Sequence, residues 1–134
     1  MSPVERQIGP HVSRRELPDS LFLTIVGDLD EEHATAMVAE MQDIGKDGTS
    51  ILILADVSRL GRISPAARIV ATDGSKAVVT RAIAIIGAGF QQRVLVTLII
   101  KAFALLRKES MIPMVFFEKE AEARVWIEEQ RRSR

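Results

Sequence analysis

Apolar residues fall into short runs and helical stripes that alternate along most of the chain. Runs rich in Val, Ile, Leu and Phe predict strands, and apolar positions three or four residues apart predict helices. The predicted strands cover residues 11–17, 21–26, 51–55, 82–86 and 114–117. The predicted helices cover residues 31–44, 65–78, 90–108 and 120–131, and the second of them is either continuous or broken near Asp73-Gly74.

The order of these elements predicts the fold class. After the first hairpin a helix connects each strand to the next, which favours parallel pairing and right-handed crossovers. We therefore expect an α/β fold with a mixed, mostly parallel five-stranded sheet and about four helices. A chain of 134 residues is typical of one domain. Residues 1–9 are expected to form a flexible tail, followed by a single domain over residues 10–131.

The helix predicted over residues 90–108 has more apolar surface than one sheet can cover. Its polar positions form a narrow stripe, and apolar side chains surround most of the remaining circumference. Its most apolar segment, residues 94–106, is too short to span a membrane, which takes roughly 20 residues. Three explanations are open: contact with a second copy or another protein, a pocket for a hydrophobic small molecule or lipid, or burial against neighbouring helices. The candidate residues are Val94, Leu98, Ile99 and Phe103.

Composition narrows the function classes. Eighteen basic and eighteen acidic residues give a net charge of zero, which is unfavourable for nucleic-acid binding and favours self-association, so we expect a homodimer. The absence of cysteine excludes disulfides and thiolate chemistry, and it fits a cytoplasmic protein. The acidic cluster beside His33 either holds a hard cation or, as we favour, compensates the charge at a helix N-terminus; its members are Asp28, Asp30, Glu31 and Glu32. We expect no metal site, no cofactor and no enzymatic activity, because no acid–base pair has a recognisable arrangement.

Residues 51–68 contain the main candidate for a partner-binding or regulatory loop. The apolar run 51–55 is followed by an eight-residue polar turn that begins at Asp56, and Ser64-Pro65 then has the pattern of a helix start. Ser64 either caps this helix or, like Ser58, is a regulatory hydroxyl near several arginines. The candidate residues are Asp56, Ser58, Arg62, Ser64 and Arg68.

A second candidate is the turn Gly87-Ala88-Gly89, which lies between a predicted strand and the long helix. A glycine-rich turn can direct backbone amides at an anion, and Arg93 would supply positive charge. The third glycine of a dinucleotide-binding motif is missing, because position 92 is Gln. The turn is therefore either a plain tight turn or a weak anion site formed by Gly87, Gly89 and Arg93.

Several of these features together resemble a known family. The element order, the segment Asp56-Val57-Ser58 with Ile63-Ser64, and the segment AIAIIGAG with the apolar helix after it are similar to the STAS domain of SpoIIAA-like, anti-anti-sigma-factor proteins. The resemblance covers roughly residues 10–131. It implies a non-catalytic module that binds a protein partner. The likeness of this fold to CRAL-TRIO lipid carriers implies the alternative, a binder, carrier or sensor of a hydrophobic small molecule or lipid.

One departure from the family pattern concerns regulation. In regulatory members a serine at the start of the helix is phosphorylated, and Ala66 aligns with that serine. Because alanine has no hydroxyl, phosphorylation at the family position is impossible in this chain. Any phosphorylation would have to use another serine, such as Ser58 or Ser64.

Overall fold

A computed structural model describes residues 5–17, 19–74, 78–107 and 112–133. Within these residues the chain forms one mixed sheet and four helices. The elements are, in chain order, β1 (Glu5–Ile8), β2 (His11–Leu17), β3 (Ser20–Leu29), α1 (Glu31–Gly45), β4 (Ile51–Ile63), α2 (Pro65–Gly74), β5 (Thr80–Ile86), α3 (Phe90–Arg107), β6 (Met114–Phe117) and α4 (Glu120–Arg132).

The strands lie in the sheet in the same order as in the sequence, from β1 to β6. β1, β2 and β3 pair antiparallel, whereas β3, β4, β5 and β6 pair parallel. Consecutive right-handed crossovers that advance in one direction place their helices on one face of the sheet. Accordingly, α1, α2 and α3 contribute Met37, Ala67 and Val96 to one apolar cluster, while α4 contributes Ala123 and Ile127 to the cluster on the other face. The mixed, mostly parallel α/β fold is confirmed.

The sheet has six strands among the described residues, where the sequence predicted five. The additional strand is β1, which lies in the segment expected to be a tail and pairs with β2 from Glu5 to Ile8. The sequence ERQI has only one apolar residue, so it lacks a strand signal. Ile8 is buried, and Arg6 forms an ion pair of 3.0 Å with Glu40 of α1. Tertiary contacts therefore hold this strand in place.

Strand β4 also differs from the prediction, because the segment expected to be a polar turn after Ala55 remains in the sheet as far as Ile63. The buried side chains of Val57 and Leu60 hold the extension of β4 against the core, and the extension pairs with β3 with two shifts of register. The register shifts interrupt the alternation of buried and exposed side chains that marks a strand, so in the sequence the exposed residues between them resemble a turn. The expected partner-binding loop is therefore an extended, bulged strand.

Helix α2 is described from Pro65 to Gly74, and the predicted alternative of a break near Asp73-Gly74 lies at the end of this range. A Cβ added to Gly74 would collide with Val38 of α1, so glycine allows the two helices to approach closely there. Residues 75–77 lie outside the described residues, and Val78 is buried outside the helix. Close packing of α1 on α2 thus depends on a small residue at this contact.

The β1–β2 hairpin is tied to the core by a buried histidine. His11 is fully buried, and its Nδ1 accepts a hydrogen bond of 3.0 Å from the Val26 amide of β3. Its ring meets that of His33 edge to face, with centroids 5.3 Å apart, and Asp30 lies 3.2 Å from His33 Nδ1. Burial, followed by the neighbouring His33, lowers the pKa of His11 below its ordinary value of 6.5.

We predict that acid destabilises this hairpin contact. A histidine whose pKa is lowered in the folded state binds more protons when the chain is unfolded. The contribution of His11 to the free energy of unfolding is therefore fully present above pH 6.5 and decreases as the pH falls below that value. Replacing His11 with Asn keeps an acceptor near the position of Nδ1 but removes the titration. Urea unfolding at pH 7.5, 6.5 and 5.5 should show a loss of stability in the original chain and a flatter profile in His11→Asn. Equal slopes would show that His11 does not carry the effect.

Candidate functional site

Asp56 and Ser58 form a compact turn of the backbone within β4. The Ser58 amide and hydroxyl donate to Asp56 Oδ1, at 3.0 and 2.7 Å respectively. Asp56 still pairs with Ile86 of β5, and the ladder between these two strands ends there. The pair therefore lies at the carboxyl edge of the parallel strands, where ligands and partners of α/β proteins usually bind.

Gly87 follows β5 and lies directly against Ser58. Its φ of 75° is in the left-handed region, and a Cβ added there would come within 2.7 Å of the Ser58 Cβ. Glycine is therefore required both for the backbone conformation and for the close approach. The structure thus brings together the two sequence candidates, the Asp56–Ser58 pair and the glycine turn.

The β4 extension is held against the end of β3 by Asp28. Its Oδ1 accepts a hydrogen bond of 2.8 Å from the Arg62 amide, so this carboxylate satisfies backbone rather than a cation. Asp30 similarly caps α1 by accepting from the His33 amide at 2.8 Å. Among the described residues, no group of three or more His, Asp or Glu side chains is arranged to hold a metal ion.

Ser64 caps α2, as the sequence predicted. Its hydroxyl accepts a hydrogen bond of 3.0 Å from the Ala67 amide, and its own amide donates to the Leu29 carbonyl at 3.0 Å. Ser64 is half-buried, whereas Ser58 is exposed. Of the two serines, Ser58 is therefore the more accessible to a modifying enzyme, and modification of either remains a prediction.

Exposed cations and exposed apolar residues lie on the elements that continue from this edge. Arg62 lies on the β4 extension, and Arg68 lies on α2 beside Ile69. Ile69 is 62% exposed. Sequence analysis did not single out Ile69, although its position next to Arg68 on the polar side of α2 is a visible signal.

The predicted anion site is only partly assembled. Arg93 Nε donates to the Ala88 carbonyl at 3.2 Å, and its guanidinium lies 5.1 Å from the centre of the Phe116 ring. Arg93 is thus held against its own turn and strand β6. An anion site formed by Gly87, Gly89 and Arg93 remains a prediction.

The residues predicted for a hydrophobic ligand or an interface take different positions on α3. Val94 and Leu98 point outward, and the Leu98 side chain is 60% exposed. Ile99, in contrast, lines a cavity in the core. The side chain of Phe103 lies outside the described residues. Within the described part of the chain, no helix has the length and apolar character needed to cross a membrane.

The cavity lies between the sheet and helices α1, α2 and α3, and its volume is about 200 Å³. Its lining is almost entirely apolar. Sequence analysis predicted Ile99 but missed the remaining wall, for which the methionine-containing apolar stripe of α1 was the available signal. Lining residues include Met37 and Met41 of α1, Ile53 and Ile85 of the sheet, Thr72 of α2 and Ile99 of α3.

Comparison with known proteins agrees with this fold. A sequence model of the SpoIIAA-like family matches residues 21–128. The chain belongs to the SpoIIAA-like family. The comparison with curated protein sequences finds no match.

Two solved structures are similar over nearly their whole length. An uncharacterised DUF3478-family protein with a SpoIIAA-like fold, from Shewanella loihica PV-4, is 21% identical with a TM-score of 0.65, and the match covers 95% of this chain and 98% of that one. The anti-sigma factor antagonist SpoIIAA in its unphosphorylated form is 13% identical with a TM-score of 0.60, covering 87% of this chain and 96% of that one. These likenesses establish the fold.

We predict that the contact between Gly87 and Ser58 is needed to form the site. Gly87→Ala should destabilise the protein more than Gly27→Ala, by about 1–3 kcal/mol, because crowding adds to backbone strain. Gly27 is a matched control, since its φ is 74° and a Cβ there would meet no atom within 4 Å. Urea unfolding measures both losses, and a second change, Ser58→Gly, should recover the excess. Equal losses at the two glycines would contradict the close contact.

Proposed function

We propose that this chain is a non-catalytic, STAS-like regulatory module that binds a protein partner. The binding surface consists of Asp56, Ser58, Arg62, Ser64, Arg68 and Ile69, and we call it the β4–α2 surface. The observation that carries the proposal is the exposed Ile69 beside exposed arginines. Protein interfaces typically contain an apolar anchor residue that is surrounded by charged residues.

The charges of the β4–α2 surface indicate what kind of partner would fit. Arg62 and Arg68 have exposed side chains, while the Asp56 carboxylate is occupied by the amide and hydroxyl of Ser58. The surface therefore offers two exposed cations, and Arg68 is the neighbour of the apolar Ile69 along the chain. It suits a partner that presents carboxylates around an apolar pocket, because complementary charge favours association and specificity.

Family membership supports the same proposal. The related SpoIIAA is an anti-sigma factor antagonist, which is a regulatory protein. This chain shares its fold, but alanine stands at the aligned phosphorylation position, so any regulation must differ in detail. A phosphate on Ser58 would place negative charge against Asp56 and would disrupt the turn that these two residues form.

Partner binding can be tested with two single substitutions to aspartate, at positions that are equally exposed. Ile69→Asp places a charge on the β4–α2 surface, and Val125→Asp places one on α4, where the valine is 61% exposed. In affinity capture from cells that naturally produce the chain, a specific partner should be retained by the original protein and by Val125→Asp. Ile69→Asp should reduce its recovery at least tenfold, because burial of a charge opposes the contact.

Quantitative mass spectrometry of the captured proteins provides the measurement, and matching circular dichroism spectra of the two variants provide the folding control. A partner lost equally from both variants, or from neither, would contradict binding through the β4–α2 surface. Charge reversal at Arg62 then serves as an independent change on the same surface.

The cavity supports a second candidate function, binding of a hydrophobic small molecule. A space of about 200 Å³ with an apolar lining exceeds the roughly 150 Å³ cavity that is known to admit benzene in another protein. Close packing normally fills protein interiors, so a space of this size in a small domain is a candidate ligand site. The cavity is too small for a lipid with two long acyl chains.

Ile99 and Leu98 are neighbours that test this function directly, because only Ile99 lines the cavity. We expect Ile99→Trp to fill the space and to weaken binding of 1-octanol at least tenfold. Leu98→Trp, which changes an exposed position, should leave the affinity unchanged. Isothermal titration calorimetry measures both, with thermal unfolding as the folding control. Equal affinity in both variants would place octanol elsewhere on the protein.

Homodimer formation remains a prediction of the sequence. The exposed Val94 and Leu98 side chains provide apolar surface on α3 that a second copy would bury.

A further inference from the structure

Three exposed apolar residues form a line along the outside of α3. Phe90 is 73% exposed, Val94 is 47% exposed and Leu98 is 60% exposed. Residues four positions apart lie on nearly the same side of a helix, so these three follow one line about 12 Å long. We call them the α3 stripe. Val96 packs on the core and Ile99 lines the cavity, so the stripe lies on the side of α3 that faces away from the sheet.

The α3 stripe has a symmetrical order of large and small side chains. A large apolar residue lies four positions before Val94 and another lies four positions after it. The stripe therefore matches itself when a second copy is turned end over end about this valine, which is the requirement of a two-fold interface. Phe90 then lies beside Leu98 of the partner subunit, and the two valines meet at the two-fold axis.

The charges of α3 are compatible with this antiparallel arrangement. Residues 90–101 include no acidic residue, and their cations are Arg93 and Lys101. Arg93 is directed away from the stripe, because its Nε donates to the Ala88 carbonyl at 3.2 Å and its guanidinium lies 5.1 Å from the centre of the Phe116 ring. The two copies of Lys101 would be about 20 Å apart along the helix axis, which is roughly twice the Debye length at 0.1 M salt.

A parallel arrangement of two α3 helices is less favourable. It would bring the two Lys101 side chains together and align the two helix dipoles in the same direction. In the antiparallel arrangement the dipoles oppose each other and the lysines are apart. The net charge of zero also removes general repulsion between copies. Symmetry and charge therefore both favour a second copy of this chain, in the antiparallel orientation, as the occupant of the stripe.

We propose that two copies of this chain form a reversible homodimer through antiparallel contact of their α3 stripes. This inference rests on the homodimer prediction and adds to it the interface, the orientation and the register. An interface that is one helix wide is smaller than the roughly 1,200–2,000 Å² that stable complexes bury, so we expect the dimer to dissociate on dilution.

The register can be tested by cysteine cross-linking, because the chain has no cysteine of its own. Facing Cα atoms of two closely packed helices are roughly 4–6 Å apart, which a disulfide can span. Under mild oxidation Val94→Cys should form a disulfide-linked dimer, because this position faces itself. Phe90→Cys and Leu98→Cys should cross-link when they are mixed, and at least tenfold more slowly when each is alone. Non-reducing gel electrophoresis measures the rates.

Val125→Cys is a matched control, because Val125 is 61% exposed but lies on α4. It reports cross-linking by random collision, which Val94→Cys should exceed at least tenfold in rate. A rate for Val94→Cys that is no higher than this control would overturn the interface. Cross-linking of Phe90→Cys alone as fast as that of its mixture with Leu98→Cys would overturn the antiparallel orientation.

Sedimentation velocity over a concentration series separates this interface from the homodimer prediction. We expect a monomer–dimer equilibrium whose dissociation constant rises at least tenfold in Leu98→Asp but not in Val125→Asp, because the dimer would bury the first charge. Circular dichroism shows that both variants are folded. A dimer that Leu98→Asp leaves unchanged would overturn the role of the stripe but not homodimer formation. A monomer at every concentration would overturn both.

Discussion

The handedness of the strand connections is the constraint on which the rest of this structure depends. β3 to β6 advance across the sheet in one direction, so right-handed crossovers assign α1, α2 and α3 to the same face. Of the described helices, α4 packs on the other face, where Ala82, Ala84 and Ala123 permit close packing. On the face that carries three helices, α1 and α2 meet at Gly74, and α3 packs on the sheet together with them. The cavity is the space that remains between these three helices and the strands.

The same topology sets the positions of the two proposed sites. All four parallel strands point the same way, so Asp56, Ser58 and Gly87 meet at their carboxyl edge. The cavity wall runs along one face of the sheet, from Thr80 at the start of β5 to Ile85 near its end. A polar partner surface and an apolar cavity can therefore coexist in a small protein without sharing side chains. They share only the strands and α2.

The contrast between predicted and observed elements follows from what each element depends on. Long apolar runs and helical stripes are local signals, so the helices and central strands were predictable, and so was the Ser64 cap. β1 depends on Glu40 and β2, and the β4 extension depends on bulged pairing with β3, so neither has a local pattern. The sequence indicated excess apolar surface on α3. It could not indicate that Ile99 would face a cavity and Leu98 the surface, because that depends on how closely three helices approach.

Helix α2 is the physical connection between the partner surface and the cavity. It presents Ile69 outward and contributes Thr72 to the cavity wall, one turn later along the same helix. A ligand that merely fills the cavity, with α2 in one position, would leave the partner surface unchanged. Coupling requires a second position of α2 for which the ligand has a different affinity, and the effect on ligand and partner would then be reciprocal. The packing of α2 on α1 through Gly74 and Val38 opposes such a movement, because a displaced helix loses that close contact. Coupling between the two sites would therefore require a difference in ligand-binding free energy that exceeds the free energy of this one helix contact.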